Sequence, residues 1–175
     1  MKTFYMKSVL GAALLLVLSS AALAQAPPQN VPNLGCSDLT IKGDWGFRVS
    51  GEILTASGAT AQLRDGVAVT HFDGHGMLVQ EDYVMAAGEP MGDPATFHTD
   101  ESGSYHVSPD CSGNATINFP PFPGGAVIKI MFVVSNFGQT IHAIVSELIP
   151  PASMDPTQTP KPVSIHSDAE RLSYF

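Results

Sequence analysis

The segment of residues 103–116 constrains the fold more than any other part of the chain. It reads Gly-Ser-Tyr-His-Val-Ser-Pro-Asp-Cys-Ser-Gly-Asn-Ala-Thr. Residues 104–107 and 114–119 have the composition of short strands. The Pro-Asp-Cys-Ser-Gly corner between them favours a tight turn, because proline fixes φ and aspartate can accept hydrogen bonds from its own backbone. We therefore predict that the chain doubles back here as antiparallel β-structure.

A period of two in hydrophobicity predicts further strands. Trp45 and Phe47 alternate with polar or small residues, which is typical of a strand with one buried face. Residues 63–72 and 77–85 are strand-like and flank Asp-Gly-His-Gly at 73–76, whose glycines suit a turn with positive φ. These two runs are predicted to form a β-hairpin.

The second half of the chain continues the all-β pattern. Residues 126–134 and 140–148 are rich in Ile, Val and Phe and predict the two strongest strands. Residues 86–101 show no periodicity and predict a long loop or an irregular closing strand. The pattern therefore favours a small antiparallel β-barrel of about seven or eight strands, with a β-sandwich as the alternative.

Residues 1–24 have the three parts of an export signal. Lys2 and Lys7 precede an apolar run, and Ala-Leu-Ala at 22–24 provides a cleavage site with small residues. The apolar run has about ten residues, whereas a membrane-spanning helix needs roughly twenty. We predict cleavage before Gln25, export to the periplasm or the external medium, and no membrane span in the mature chain.

The mature chain is long enough for one domain. Residues 25–34 are rich in Pro, Asn and Gln and are expected to be a flexible lead-in, and residues 35–149 are expected to form the barrel. The segment 150–175 begins with several prolines, which suit an extended linker because proline lacks a backbone donor. The pattern leaves open whether residues 163–175 return as a last strand.

The chain has two cysteines, Cys36 and Cys111. An even number of cysteines in an exported protein favours a disulfide, because the compartments outside the cytoplasm are oxidising. We expect one disulfide between them, with two buried thiols as the alternative.

The charge balance limits the classes of partner. The sequence has 16 acidic and 8 basic residues and a formal net charge of −8 at pH 7. Nucleic acids are polyanions whose binding needs clustered Lys and Arg, so we expect no nucleic-acid partner. We also expect no cofactor.

The chain resembles a group of exported bacterial proteins of unassigned function. The resemblance lies in the order of three features: the hairpin around residues 73–76, the corner at residues 105–113 and the final strand pair. Their barrels are similar to the lipocalin and allene oxide cyclase type. The resemblance covers residues 36–149 and depends mainly on turn residues. It implies the fold, and it does not assign a catalytic role to any numbered residue.

Large aromatic residues fall on the predicted strands. A barrel of about eight strands either fills its interior with side chains or holds one small ligand. We expect the aromatic residues to line such a ligand pocket: Trp45, Phe47, Phe72, Tyr83, Tyr105, Phe119 and Phe132. By strand parity, Glu81 and Glu147 are the carboxylates that could point inward.

Three functions stay open at this point. The first choice is binding of a small apolar molecule inside the barrel. The alternatives are a structural or surface-interaction protein without a ligand, and a cyclase or isomerase that uses the cavity. The enzyme hypothesis needs a buried ionisable group with a perturbed pKa inside the barrel, whereas the binding hypothesis needs the cavity alone.

The spacing His71-x-Asp73-x-His75 resembles a metal-binding pattern. A turn at Asp73 and His75 would keep the three side chains apart, so we expect no metal at this site.

Overall fold

The computed structural model of the chain describes residues 34–119 and 125–173. The predicted signal segment and nearly all of the predicted lead-in lie outside the described residues. The ordered elements begin with a short 3-10 helix at Asp38–Ile41, and a second 3-10 helix lies at Asn136–Gly138. The strands are β1 (Gly43–Leu54), β2 (Thr60–Phe72), β3 (Met77–Ala86), β4 (Glu89–Pro90), β5 (His98–Val107), β6 (Ser112–Phe119), β7 (Ala126–Ser135), β8 (Thr140–Ile149) and β9 (Val163–Arg171).

The strands form a closed antiparallel β-barrel. β1 pairs with both β2 and β9, β2 pairs with β3, and the remaining pairs run β3–β5–β6–β7–β8–β9. Eight strands complete the circle, while β4 pairs with the end of β3 outside it. Closure satisfies the backbone groups that an open sheet would leave at its edges. The prediction of a small antiparallel barrel is therefore confirmed.

The last strand closes the barrel. β9 pairs with β1 in a register that places Ala169 opposite Phe47 and Val163 opposite Ile53. It also pairs with β8 on its other side. The barrel therefore extends past residue 149, the boundary that the sequence predicted, and the proline-rich residues 150–162 connect its last two strands.

One end of the barrel is closed by the N-terminal 3-10 helix. Ile41 and Trp45 are both 0% exposed, and the Trp45 indole donates a hydrogen bond of 2.7 Å to the Ile41 carbonyl. Arg171 lies over the Trp45 ring, 4.8 Å from its centroid, and donates to the carbonyls of Thr40 and Gly138. The first and last strands are thereby joined at this end.

A disulfide fastens the same end. Cys36 is bonded to Cys111, with 5.1 Å between their Cα atoms, which confirms the predicted pair. Cys111 lies in the corner between β5 and β6, where Asp110 Oδ1 accepts hydrogen bonds from the Ser112 backbone and hydroxyl at 3.0 and 2.7 Å. The disulfide thus ties the segment before the 3-10 helix to the corner between β5 and β6. None of the helices in the described part of the chain is long and apolar enough to cross a membrane.

Candidate functional site

The barrel interior contains a cavity of about 500 Å³. The cavity extends from the closed end to the opposite end of the barrel. There, Leu54 at the end of β1 and Met91, Pro151 and Met154 in the segments that connect strands contribute to its wall. Aliphatic side chains from the later strands supply much of the remaining surface: Ile117, Ile128, Ile130, Ile141, Val145 and Ile165. The interior is therefore hollow and largely apolar.

Four of the seven predicted pocket aromatics line this cavity: Phe47, Phe72, Phe119 and Phe132. Trp45 and Tyr105 are buried in the core of the closed end and are not part of the cavity wall. Phe72 connects the two regions, because its ring packs edge-on against Tyr105 with the centroids 4.8 Å apart. The Tyr105 hydroxyl accepts a hydrogen bond from the Gly74 backbone and donates one to the Asp38 carbonyl, which fixes the ring beneath the cavity.

Tyr83 is a correction to the predicted pocket. Its hydroxyl donates to the Pro94 carbonyl at 3.3 Å, and its ring packs against Phe97. The neighbouring residues Asp82 and Val84 line the cavity, and successive side chains of a strand point to opposite faces. Tyr83 therefore lies on the outer face of β3.

The two predicted inward carboxylates are also corrections. Glu81 is exposed, on the same outer face of β3. Glu147 forms an ion pair of 2.8 Å with Lys129 and does not line the cavity. A bulge pairs Lys129 with Glu147 but Ile130 with Val145, so the extra residue Ser146 breaks the alternation on which the prediction depended.

A different set of polar side chains points inward, and a second bulge produces it. Gln80 pairs with Glu101 and Asp82 with His98, with an irregular register between the two pairs. Asp100 has a φ of 67° at this point, a conformation that non-glycine residues adopt infrequently. The bulge places both His98 and Glu101 on the inner face, although their spacing of three would put them on opposite faces of a regular strand.

These side chains form a buried network, which we call the acidic cluster: Asp82, His98 and Glu101. Asp82 is 5% exposed and Glu101 is 2% exposed. His98 Nδ1 lies 2.9 Å from Asp82 Oδ1. Gln80 donates to Glu101 Oε2 at 2.8 Å, and Thr70 donates to Gln80 at 2.8 Å. Asp82, His98 and Gln80 line the cavity, so the cluster lies at its wall.

Burial perturbs the ionisation of both carboxyl groups. Desolvation, with a further contribution from the charge of Asp82, raises the pKa of Glu101 to about 8. Desolvation also raises the pKa of Asp82, and the hydrogen bond with His98 opposes that increase. Glu101 Oε1 is buried and has no hydrogen-bond partner in the described part of the chain. Glu101 is therefore predominantly protonated at neutral pH, beside a histidine-bonded aspartate.

Arg64 supplies a basic group to the cavity wall. Its Nη1 atom is buried without a partner among the described residues, and burial lowers the pKa of its guanidinium. Nearer the connections, Lys161 also lines the cavity but is paired with Asp155 at 2.8 Å. The interior thus combines a large apolar surface with a few separated polar groups.

Sequence reasoning did not identify Arg64, Asp82, His98 or Glu101. Strand parity could have indicated Asp82, because it shares a face with the buried Leu78. No comparable signal was present for His98 and Glu101, since their shared face depends on the bulge.

The His71-Asp73-His75 motif forms a turn. Asp73 Oδ1 accepts hydrogen bonds from the backbones of His75 and Met77 at 2.6 and 3.0 Å. His71 instead contacts Asp44, with 2.6 Å between Nδ1 and Oδ1. The Asp73 carboxylate is thus used by the turn and the His71 ring by Asp44.

The fold and the cavity define a class of protein: a closed eight-stranded β-barrel with a hollow, mainly apolar interior and a buried acidic cluster in its wall. Comparison with protein-family models and with curated protein sequences finds no match.

Proposed function

We propose that this protein is an exported binding protein that holds a small, mainly apolar molecule inside its barrel. The observation that carries the proposal is the apolar cavity of about 500 Å³. Cavities that bind small molecules are typically of this size, with apolar walls and a few polar groups that orient the ligand. Up-and-down barrels of eight strands are large enough to hold one such ligand, as in lipocalins.

The architecture supports binding from one end. The closed end is fixed by the disulfide, the buried Trp45 and the contacts of Arg171. A ligand would therefore enter at the other end, past the segments between strands that contain Met91 and Met154. A ligand that buries about 300 Å² of apolar surface would gain about 7.5 kcal/mol, at about 25 cal/mol per Å², before the entropic cost of association. The cavity wall can therefore provide useful affinity without a large polar contribution.

Export and the lipocalin-like resemblance belong to the same proposal. The disulfide is compatible with an oxidising compartment such as the periplasm or the external medium. A secreted barrel of this kind would protect or carry a poorly soluble molecule in water.

Thermal unfolding with a panel of fatty acids, polyenes and terpenoids tests the proposal. A ligand at one hundred times its Kd stabilises the folded state by about 2.7 kcal/mol, which should raise Tm by a few degrees. Ala143→Phe fills the cavity from β8, because Ala143 lines it. Ile144→Phe is the matched control on the next residue, which is 56% exposed.

The stabilisation should disappear in Ala143→Phe and persist in Ile144→Phe. The fluorescence of Trp45, which lies in the core of the closed end, should remain native in both variants. An absence of stabilisation across the panel would favour a structural or surface-interaction protein. Equal stabilisation of all three proteins would place binding outside the barrel.

A second candidate function is an isomerase or cyclase, which the acidic cluster specifically favours. Asp82 and His98 line the cavity and Glu101 has a pKa raised to about 8, so the site holds groups that could accept and return a proton. Unsaturated ketones incubated with the protein in deuterated buffer would test this by mass spectrometry. Deuterium incorporation that Asp82→Asn abolishes would support the enzyme, whereas its absence for every ligand that binds would leave the binding protein.

A further inference from the structure

We propose that Asp82, His98 and Glu101 bind a divalent transition-metal ion in the wall of the barrel cavity. Each of the three residues offers one ligand atom, and these atoms lie within 4.8 Å of one another. This proposal does not depend on which molecule, if any, occupies the apolar part of the cavity.

The buried oxygen of Glu101 is the observation that points to a missing partner. Glu101 is 2% exposed, and its Oε1 atom receives no hydrogen bond within the described residues. It can pair with the Asp82 carboxylate only while Glu101 keeps its proton. Buried polar atoms are nearly always paired, because an unpaired one has lost its water without replacement. A metal ion at the centre of the cluster would supply that partner.

The remaining contacts position the ligands around such a centre. Gln80 holds the other oxygen of Glu101 and is itself held by Thr70, each at 2.8 Å. Hydrogen bonds of this kind orient metal-binding carboxylates in known sites. The distance of 2.9 Å between His98 Nδ1 and Asp82 Oδ1 also suits two neighbouring ligands of one ion, since metal–ligand bonds are about 2.0–2.2 Å long.

Charge balance favours a divalent ion. Asp82 and Glu101 carry two negative charges when both are ionised, and burial of two adjacent anions is unfavourable without compensation. A divalent cation with a neutral imidazole makes the cluster electrically neutral. The ion would therefore relieve both the desolvation and the mutual repulsion of the carboxylates.

The donor set narrows the class of metal. One imidazole nitrogen and two carboxylate oxygens suit Zn²⁺, Mn²⁺, Fe²⁺ or Co²⁺, whereas Mg²⁺ and Ca²⁺ prefer sites made entirely of oxygen. Asp82 and His98 lie on the cavity wall, which provides both an entry path and a free coordination position. Three protein ligands with an open position are typical of reactive metal sites rather than structural ones.

Calorimetric titration with Zn²⁺ tests the site in the mature, oxidised protein after chelator treatment and dialysis. We expect one equivalent to bind with an affinity that falls at least tenfold in His98→Ala and in Glu101→Gln. Glu81→Gln is the control for the loss of a carboxylate, because Glu81 is exposed on the outer face of β3, next to Asp82 in sequence. His142→Ala controls for weak binding by the exposed pair that His142 forms with Asp168.

Paramagnetic broadening by Mn²⁺ provides a second measurement that needs no variant. Substoichiometric Mn²⁺ should broaden the ring signals of His98 and the methyl signals of Val84 before those of His142. The proposal is overturned by Zn²⁺ isotherms that are unchanged in a folded His98→Ala protein, or by Mn²⁺ broadening confined to the surface histidines. It is also overturned if wild-type protein binds neither metal.

Discussion

Glu101 gives the sharpest test of the buried cluster, because its ionisation should oppose folding. Burial and the nearby charge of Asp82 raise the pKa of Glu101 from an ordinary value of 4.5 to about 8. Between these pH values the folded protein retains a proton that the unfolded chain has released. The associated stability is therefore fully present below pH 4.5 and is lost as the pH rises through about 8.

The magnitude follows from the interval between the two pKa values. An interval of about 3.5 pH units corresponds to about 5 kcal/mol, at about 1.36 kcal/mol per unit. This figure is an upper limit, because Asp82 and Glu101 titrate as a pair and share the effect. We expect about 2–4 kcal/mol to be expressed between pH 5 and pH 9.

Glu101→Gln isolates this contribution. Glutamine has nearly the shape of a protonated glutamate, can still accept the hydrogen bond from Gln80, and does not ionise. The variant should match the wild type at pH 5 and exceed its free energy of unfolding by about 2–4 kcal/mol at pH 9. Because Asp82 titrates together with Glu101, the difference reports the contribution of the pair.

That difference is measured by urea unfolding at pH 5, 7 and 9 in the presence of a chelator. The fluorescence of Trp45 monitors the unfolding. The chelator removes any contribution from bound metal. Glu81→Gln, the same chemical change on the exposed face of β3, is the matched control. A Glu101→Gln difference that is equal at pH 5 and pH 9 would refute the assignment of a buried, protonated Glu101.

Three further predictions concern the closed end of the barrel and the maturation of the chain. Alkylation of the unfolded protein should label no thiol before reduction and both Cys36 and Cys111 after it, and two labelled thiols before reduction would contradict the disulfide. Cys111→Ser should lower the free energy of unfolding by about 2–5 kcal/mol in urea unfolding. Arg171→Met should lower stability by about 2–3 kcal/mol, because it removes the stacking on the buried indole and the donors to the carbonyls of Thr40, Lys42 and Gly138. Arg48→Met on the exposed surface should have little effect. The intact mass of the exported protein should correspond to a chain that starts at Gln25, and a mass that includes residues 1–24 would exclude this cleavage.

The strand pattern was the part of the fold that sequence could predict. Trp45 and Phe47 alternate with polar residues because one face of β1 is buried, and the glycines at 74 and 76 mark the β2–β3 turn because both have positive φ. The sequence pattern does not decide whether residues 163–175 form a final strand, since several prolines separate them from β8 in sequence. Its place is determined by closure, because β9 has to fill the gap between β1 and β8.

The site was harder to predict than the fold for a physical reason. Parity along a regular strand assigns each side chain to one face, but one inserted residue reverses the assignment for everything beyond it. The bulge at Ser146 moved Glu147 outward, and the bulge at Asp100 brought His98 and Glu101 together. Bulges relieve the bending and twisting of a closed barrel, so their positions depend on tertiary structure more than on local sequence.

The location of the acidic cluster argues that it has a use beyond stability. A barrel wall of Ile, Val and Phe could be built without buried charges, and Glu101 adds an unpaired oxygen and an ionisation that opposes folding above neutral pH. Asp100 accepts an unusual backbone conformation to place this side chain inward. Groups that lower stability are characteristically found where a protein binds or reacts with something.

The cluster also lies against the cavity rather than in the packed core of the closed end, so a molecule held by the apolar wall would be in reach of Asp82 and His98. The proposed ligand and the proposed metal ion would therefore share one interior.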